Sequence, residues 1–304
     1  MGQGLVSYWT FDNTLDDAAD GLPTDSAVAD NGAFVGEPDV GYSAEGLFGS
    51  SLEQNGGTGY VEVQASSDTL RETDNALTVS AWIKVPAFSA NWQAVISHGE
   101  GNQWRVARRS EESTLAFAGG APDIPGAGVG PSVEDGEWHH IVAISDPDLF
   151  VTTLYIDGEV IAEGAGPEIT DEHEGIVPNL FIGSNPQRPN RAWNGQIDDL
   201  ALWSRALTDA EVQSIYADGG TSIADLLGGA GRPVITNIVR NADDTVTLTW
   251  PSSGSSDYAV FVSQDLTSEN WFEESDSVAN GGDTTTYTTA AYTQEKIFFR
   301  IEKK

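Results

Sequence analysis

Short apolar runs rich in Val, Ile, Thr, Tyr and Trp recur between polar stretches along most of the chain. "LVSYWTF" (5–11), "YVEVQ" (60–64), "LTVSAWIKV" (77–85), "WQAVISH" (92–98), "QWRVARR" (103–109), "TLAFAG" (114–119), "WHHIVAISD" (138–146), "TTLYIDG" (152–158), "NLFIGS" (179–184) and "QIDDLALW" (196–203) have the β-branched and aromatic content of strands. Clusters of Gly, Asn and Asp separate them. So many strands in roughly 200 residues predict two packed antiparallel sheets. In "YIDGEVIAEG", Asp157-Gly158 supplies the positive-φ turn of a hairpin.

One segment has helical spacing instead. In "LTDAEVQSIYADGG", Thr208 is placed as N-cap with Glu211 three residues on, which is a capping box. Val212, Ile215 and Tyr216 form its apolar stripe, and Gly219 or Gly220 is expected to supply the left-handed stop. The Gly-rich stretch after it, closed by Pro233, reads as a linker. Beyond it "VITNIVRNADDTVTLTWPS", "DYAVFVSQDL", "TTTYTTA" and "KIFFRIEKK" predict a second, smaller set of strands. The expected organisation is all-β. A large two-sheet antiparallel sandwich with one short helix occupies 4–220, a linker 221–232 and a small β-sandwich 233–304.

Charge narrows the choice of partners. Among 304 residues there are 47 acidic and 14 basic side chains, for a net charge of −33. Residues 1–232 carry 36 of the acids and only 9 of the bases. Such a field repels nucleic acid and anionic lipid, and it attracts cations. The bulk charge is equally well read as a means of keeping the surface soluble in a salty medium. There is no Cys, so disulfides, thiolate metal sites and Cys nucleophiles are excluded. No run of 18 apolar residues predicts a membrane span. No signal-peptide pattern opens the chain, and the start Met1-Gly2-Gln3-Gly4 is read as following a removed leader.

Five motifs in order carry a resemblance: "GLVSYWTFDNTLDDAADG", "LTVSAWIKV", "DGEWHHIVAISD", "LYIDGEVIAEG" and "LFIGSNPQRPNRAWNGQIDDLALWSRALTDAEVQSIYADG". Together they resemble the laminin-G-like domain of concanavalin A-like jelly-roll fold, over about residues 4–220. The resemblance implies a secreted or cell-surface module that binds carbohydrate or protein, with a calcium ion in many members. "YAVFVSQDLTSENW" and "FFRIEKK" are similar to fibronectin-type-III-like modules.

The pair Asp198-Asp199 raises a physical question, because adjacent carboxylates in a half-buried strand need positive partners. Neighbouring strand residues point to opposite faces, so both can serve one site only if a bulge intervenes. Jelly-roll folds bring the first and last strands together. Asp12, at the end of "YWTFD", could then meet Asp198 at one rim. A calcium ion would join them, with carbonyls near Gly46 or Ser50 completing its shell. The alternative is that Asp12 caps a turn while Asp198 pairs with Arg205 or Arg191. No EF-hand spacing is present.

Catalytic patterns are missing. There is no E-x-D-x-E run of the kind laminarinase-type relatives use, no H-E-x-x-H and no G-x-S-x-G. The acidic cluster "TDEHEG" (170–175), including Glu172 and Glu174, lacks the period of a strand-borne pair. The chain is therefore read as non-catalytic. Of His98, His139, His140 and His173, the adjacent pair His139-His140 is expected to place one ring inside and one outside.

Binding chemistry is concentrated on two segments. Trp92, Trp104 and Trp193 fall at strand ends or in loops, unlike Trp9, Trp82, Trp138 and Trp203. Arg105, Arg108 and Arg109 share one short segment, with Arg105 and Arg109 on one strand parity. Arg188 and Arg191 lie in the loop "SNPQRPNRAWNG", beside Asn185, Gln187 and Asn194. An aromatic face stacks on a sugar ring while planar polar groups fix its hydroxyls, and Arg grips carboxylate or sulfate. The expected ligand is a polysaccharide or glycan, with an acidic or sulfated one suited to the arginines. Internal ion pairs and core packing would explain the same residues without a ligand. The ranked readings are a carbohydrate-binding module, then a structural or adhesive module with protein partners. An enzyme, or an accessory region of a polysaccharide-degrading enzyme, comes last.

Overall fold

The computed structural model describes residues 4–19, 30–64, 76–100, 103–120, 122–165, 169, 179–217, 220–223, 235–252, 257–263, 271–279, 281, 284–294 and 296–303. The chain divides into two units, Met1–Gly220 and Thr221–Lys304. The first contains β1 (Leu5–Trp9), β2 (Gly32–Val35), β3 (Val40–Ser43), β4 (Ser51–Asn55), β5 (Tyr60–Val63), β6 (Leu77–Lys84) and β7 (Ala94–Ser97). It continues with β8 (Trp104–Arg108), β9 (Leu115–Gly119), β10 (Trp138–Asp146), β11 (Val151–Ile156), β12 (Glu159–Ala165), β13 (Leu180–Ile182), β14 (Asn194–Trp203) and the helix α1 (Asp209–Tyr216).

These strands form two antiparallel sheets. One runs β12-β11-β10-β6-β14-β4-β3, with β1 also pairing to β14; the other runs β2-β5-β13-β7-β8-β9. The first unit is thus the expected two-sheet jelly-roll sandwich. Leu77, Val79, Ala81 and Ile83 of β6 project into the core between the sheets. Thr78, Ser80 and Trp82 face the other way, yet they too are buried. The helix explains this: Tyr216 of α1 stacks on Trp82 and His140, so β6 is covered on both faces. Each fully buried Leu or Ile contributes roughly 1.5–3 kcal/mol.

The capping box forms as expected. Thr208 Oγ1 accepts from the Glu211 amide at 3.3 Å, and the Glu211 carboxylate accepts from the Thr208 amide at 2.9 Å. The expected glycine stop differs. The helix ends at Ala217, which is extended (φ −51, ψ 139), and Gly219 lies outside the described residues. Gly220, at φ +95, sends its amide back to the Ala217 carbonyl at 3.2 Å.

Strand β14 changes neighbours along its length. Asn194–Ile197 pair with β4, whereas Leu200–Trp203 pair with β1. Between them Asp198 stands opposite Trp82 and Ala201 opposite Ser80, so one extra residue bulges from β14. Asp198 and Asp199 sit at that bulge, with Asp199 at φ +46.

The second unit holds β15 (Asn237–Arg240), β16 (Val246–Pro251), β17 (Tyr258–Ser263), β18 (Phe272–Val278), β19 (Thr284–Thr288) and β20 (Phe298–Lys303). They form two three-stranded sheets, β15-β16-β19 and β18-β17-β20, around Leu248, Trp250, Tyr258, Val260 and Ile301. The second set of strands is the small β-sandwich that the sequence predicts. Most of the Gly-rich linker, the cluster 170–175 and residues 264–270 lie outside the described residues.

Candidate functional site

Asp12 and Asp198 meet on a single loop, but backbone joins them. Asp198 Oδ2 accepts from the amides of Leu47 and Phe48 at 2.8 and 3.0 Å, and its Oδ1 from the Asp199 amide at 3.0 Å. Asp12 Oδ1 accepts from the Ser50 amide at 2.8 Å. Neither arginine expected to neutralise Asp198 does so: Arg205 pairs with Glu211 at 2.5 Å, and Arg191 with Glu100 at 2.5 Å. Burial pushes the Asp198 carboxyl up to about 8, helped by the Asp199 carboxyl and opposed by the three amides. Asp199 Oδ1 instead accepts from the Tyr8 hydroxyl at 2.6 Å.

The expected calcium does not fit this donor set. The loop presents N–H groups to the two carboxylates where a cation needs carbonyl oxygens. Among the described residues, no three His, Asp or Glu side chains gather as a metal site.

Arg105 and Arg109 from one segment and Arg191 from the other come together around Trp92, whereas Arg108 turns to the Ala90 and Glu112 carbonyls. Glu62, Phe181, Ser97, Arg105 and Ala118 stand opposite one another across β5, β13, β7, β8 and β9. Their strand neighbours Val61, Leu180, Ile182, Val106 and Phe117 fill the core, so this row faces away from it. Trp92 lies against this outer face. The guanidinium carbons of Arg105, Arg109 and Arg191 lie 5.6, 5.2 and 5.8 Å from the centre of its ring. Each is within cation–π range. Trp92 is half-buried and sits at φ +57, a conformation that costs a bulky residue on the order of 1–3 kcal/mol.

Two carboxylates brace the cluster. Arg105 pairs with Asp123 at 2.7 Å and lies 3.7 Å from Glu100, which also takes Arg191. Asn185 is fully buried, and its Nδ2 donates to Glu100 at 2.8 Å and to Ser97 Oγ at 2.8 Å. It positions Glu100 and cannot itself touch a ligand, which corrects the role expected of it. Gln187 accepts from the Glu100 amide at 2.9 Å. Burial draws the Arg191 guanidinium down, against Glu100 and together with Arg105 and Arg188. Arg188 is exposed and donates to the Gln187 carbonyl at 2.8 Å. Arg109 donates through Nε to the Pro125 carbonyl at 3.1 Å. Glu100 and Asp123 were missed in the sequence, where nothing separates them from 45 other acids.

Two expected ligand residues are instead core. Trp104 and Trp193 are 1% and 0% exposed. Strand alternation turns Trp104 inward because Arg105 turns outward. Trp193 packs edge-on against Phe88 beneath the loop that carries Arg191. Asn194 donates to the Ala87 carbonyl and lines a different concavity, of about 420 Å³, beside Asp39, Glu53 and Asn55. Among the described residues, no arginine or tryptophan lines it.

Comparison with known proteins bears on this sandwich. A stretch of 176 residues is 27% identical to the sushi, von Willebrand factor type A, EGF and pentraxin domain-containing protein 1 of Rattus norvegicus; it covers 55% of this chain but only 5% of that protein. Domain 4 of AbnA, an extracellular GH43 arabinanase from Geobacillus stearothermophilus solved with arabinotriose, superposes with a TM-score of 0.53 at 18% identity. That match covers 69% of this chain and 97% of the domain. Trypanosoma rangeli sialidase with the inhibitor DANA gives a TM-score of 0.50 at 18% identity, over 71% of this chain and 34% of the enzyme. At these identities the two structures speak for the fold alone. Residues 55–213 match the laminin-G-type profile of the concanavalin A-like lectin/glucanases superfamily, and the chain belongs to that superfamily.

Proposed function

We propose that the first unit is a non-catalytic carbohydrate-binding module of a secreted or cell-surface protein, and that the saccharide lies against Trp92. The observation that carries this reading is a half-buried tryptophan, held at positive φ, with three guanidiniums around its ring. An indole face covers the apolar face of a sugar, and arginine forks and amides fix hydroxyls around it. Strain at Trp92 fits a functional position, since its ring is half-buried and lies outside the core cluster. The AbnA domain, solved with arabinotriose and matched over 97% of its length, supports the choice of ligand.

A place beside a catalytic unit in a polysaccharide-degrading enzyme is consistent with the arabinanase domain, which the match covers almost entirely. The second unit, two three-stranded sheets, is read as a fibronectin-type-III-like spacer. An adhesive role with protein partners is the second reading, favoured by the multidomain rat relative. The test is retention on a panel of immobilised polysaccharides, with Trp92→Ala beside the wild-type chain. Retention that Trp92→Ala abolishes supports the module. Retention of neither protein on any polysaccharide rejects it in favour of the adhesive reading.

A further inference from the structure

The Trp92 face carries more positive charge than its own carboxylates neutralise. Arg105 and Arg191 are each paired, with Asp123 and Glu100. Arg109 has no carboxylate within ion-pair distance among the described residues, and its two terminal nitrogens make no hydrogen bond to any of them. Three cations thus share two anions. In a chain with 47 acids to 14 bases, a half-buried guanidinium left without a carboxylate is unexpected from composition. Exposed Arg188, bonded among the described residues to the Gln187 carbonyl, adds further positive charge beside Arg191.

We propose that Arg109 reads an anionic group, so that the saccharide bound at Trp92 is a carboxylated or sulfated one. This rests on the reading of Trp92 as a saccharide site. The Nε bond to Pro125 fixes the plane of the guanidinium, and the ring of Trp92 lies 5.2 Å from its carbon. The two remaining nitrogens therefore form a preset fork for two oxygens of one anionic group. Holding the fork in place before binding reduces the ordering cost of capture. The acidity of the whole chain does not forbid an anion here. At physiological salt the screening length is about 8 Å, so the nearby arginines outweigh more distant acids.

The test is titration of the full chain with polygalacturonate, a sulfated galactan and a neutral galactan, at low and moderate salt. Trp92→Ala, Arg109→Gln and Arg109→Lys are run in parallel, with thermal unfolding to confirm that each is folded. The expected result is binding to a charged polymer that weakens with salt. Arg109→Gln should weaken it about tenfold or more, a charge-assisted hydrogen bond being worth at least that. Arg109→Lys should restore part of the loss, because it keeps the charge without the fork. The two charged polymers tell carboxylate from sulfate. Equal binding of the neutral galactan, indifferent to Arg109→Gln, overturns the anionic class while the saccharide site stands. Binding to none of the three overturns both.

Discussion

The Asp199 amide donates to the side chain of its own predecessor, Asp198, at 3.0 Å. That bond defines the bulge of β14. It lets two adjacent carboxylates part company, Asp198 toward the loop at 46–50 and Asp199 toward Tyr8. The bulge falls where β14 exchanges β4 for β1, a place where no strand supplies ladder partners on that side. Removing the carboxylate should leave three amides unpaired. Asp198→Ala is expected to cost about 3 kcal/mol or more in chemical denaturation.

The same residue sets a pH dependence. Its folded pKa, about 8, lies above the model-compound value of 3.8. Its contribution is therefore fully present below about 3.8 and is lost as pH rises through about 8. Asp198→Asn removes the titration. The stability of the wild-type chain should fall relative to Asp198→Asn across this window, and parallel curves for the two proteins would contradict the assignment.

Because backbone amides donate to Asp12 and Asp198, a chelator should leave the unfolding midpoint unchanged. Calcium that binds the folded chain would raise the midpoint by mass action. A calcium-dependent rise, lost in Asp12→Ala, would show that the rim rearranges around a metal.

The two adjacent histidines should titrate in opposite directions. His139 lies between Asp157 at 2.7 Å and Asp135 at 3.1 Å; its bond to Asp157 leads in raising its pKa, with Asp135 adding, against partial burial. Its stabilisation is complete below about 6.5 and disappears as pH rises through the raised value. His140, fully buried with Nε2 2.9 Å from Ser80 Oγ, is driven down to about 3 by burial. It favours the fold above 6.5, and that benefit is lost as pH falls toward 3. Proton NMR titration of the ring signals distinguishes them. A shared midpoint near 6.5 would refute both environments.

Tryptophans that look alike in the sequence should separate on substitution. Trp193→Ala empties a fully buried site and should cost about 3–5 kcal/mol. Trp92→Gly gives up cation–π contacts but relieves a positive φ, so the net change should stay within about 1 kcal/mol. Denaturant midpoints for the two variants check this. Equal losses would place Trp92 in the core as well.

What was legible followed from patterning. The run Trp138–Asp146 forms a strand with those very bounds, because its apolar stretch Ile141–Ile144 is buried and both neighbouring strands pair with it. Strands β2, β3 and β4 were not anticipated. Each has four or five residues, and "GAFV", "VGYS" and "SLEQN" owe their extended form to sheet pairing more than to their own composition. Polar β18, "FEESDSV", was missed for the same reason. The convergence of Trp92, Arg105, Arg109 and Arg191 could be suspected from shared parity and scarce basic residues. The burial of Trp104 and Trp193 could not, since position near a strand end does not say which way a ring turns.

The most direct measurement is an NMR titration that follows the indole N–H signals of the nine tryptophans and the Nε–H signals of the arginines as a uronic or sulfated oligosaccharide is added. The signals of Trp92 and Arg109 should move together with one binding constant while those of Trp104 and Trp193 stay in place. Shifts confined to the concavity around Asn194, with Trp92 unmoved, would contradict it.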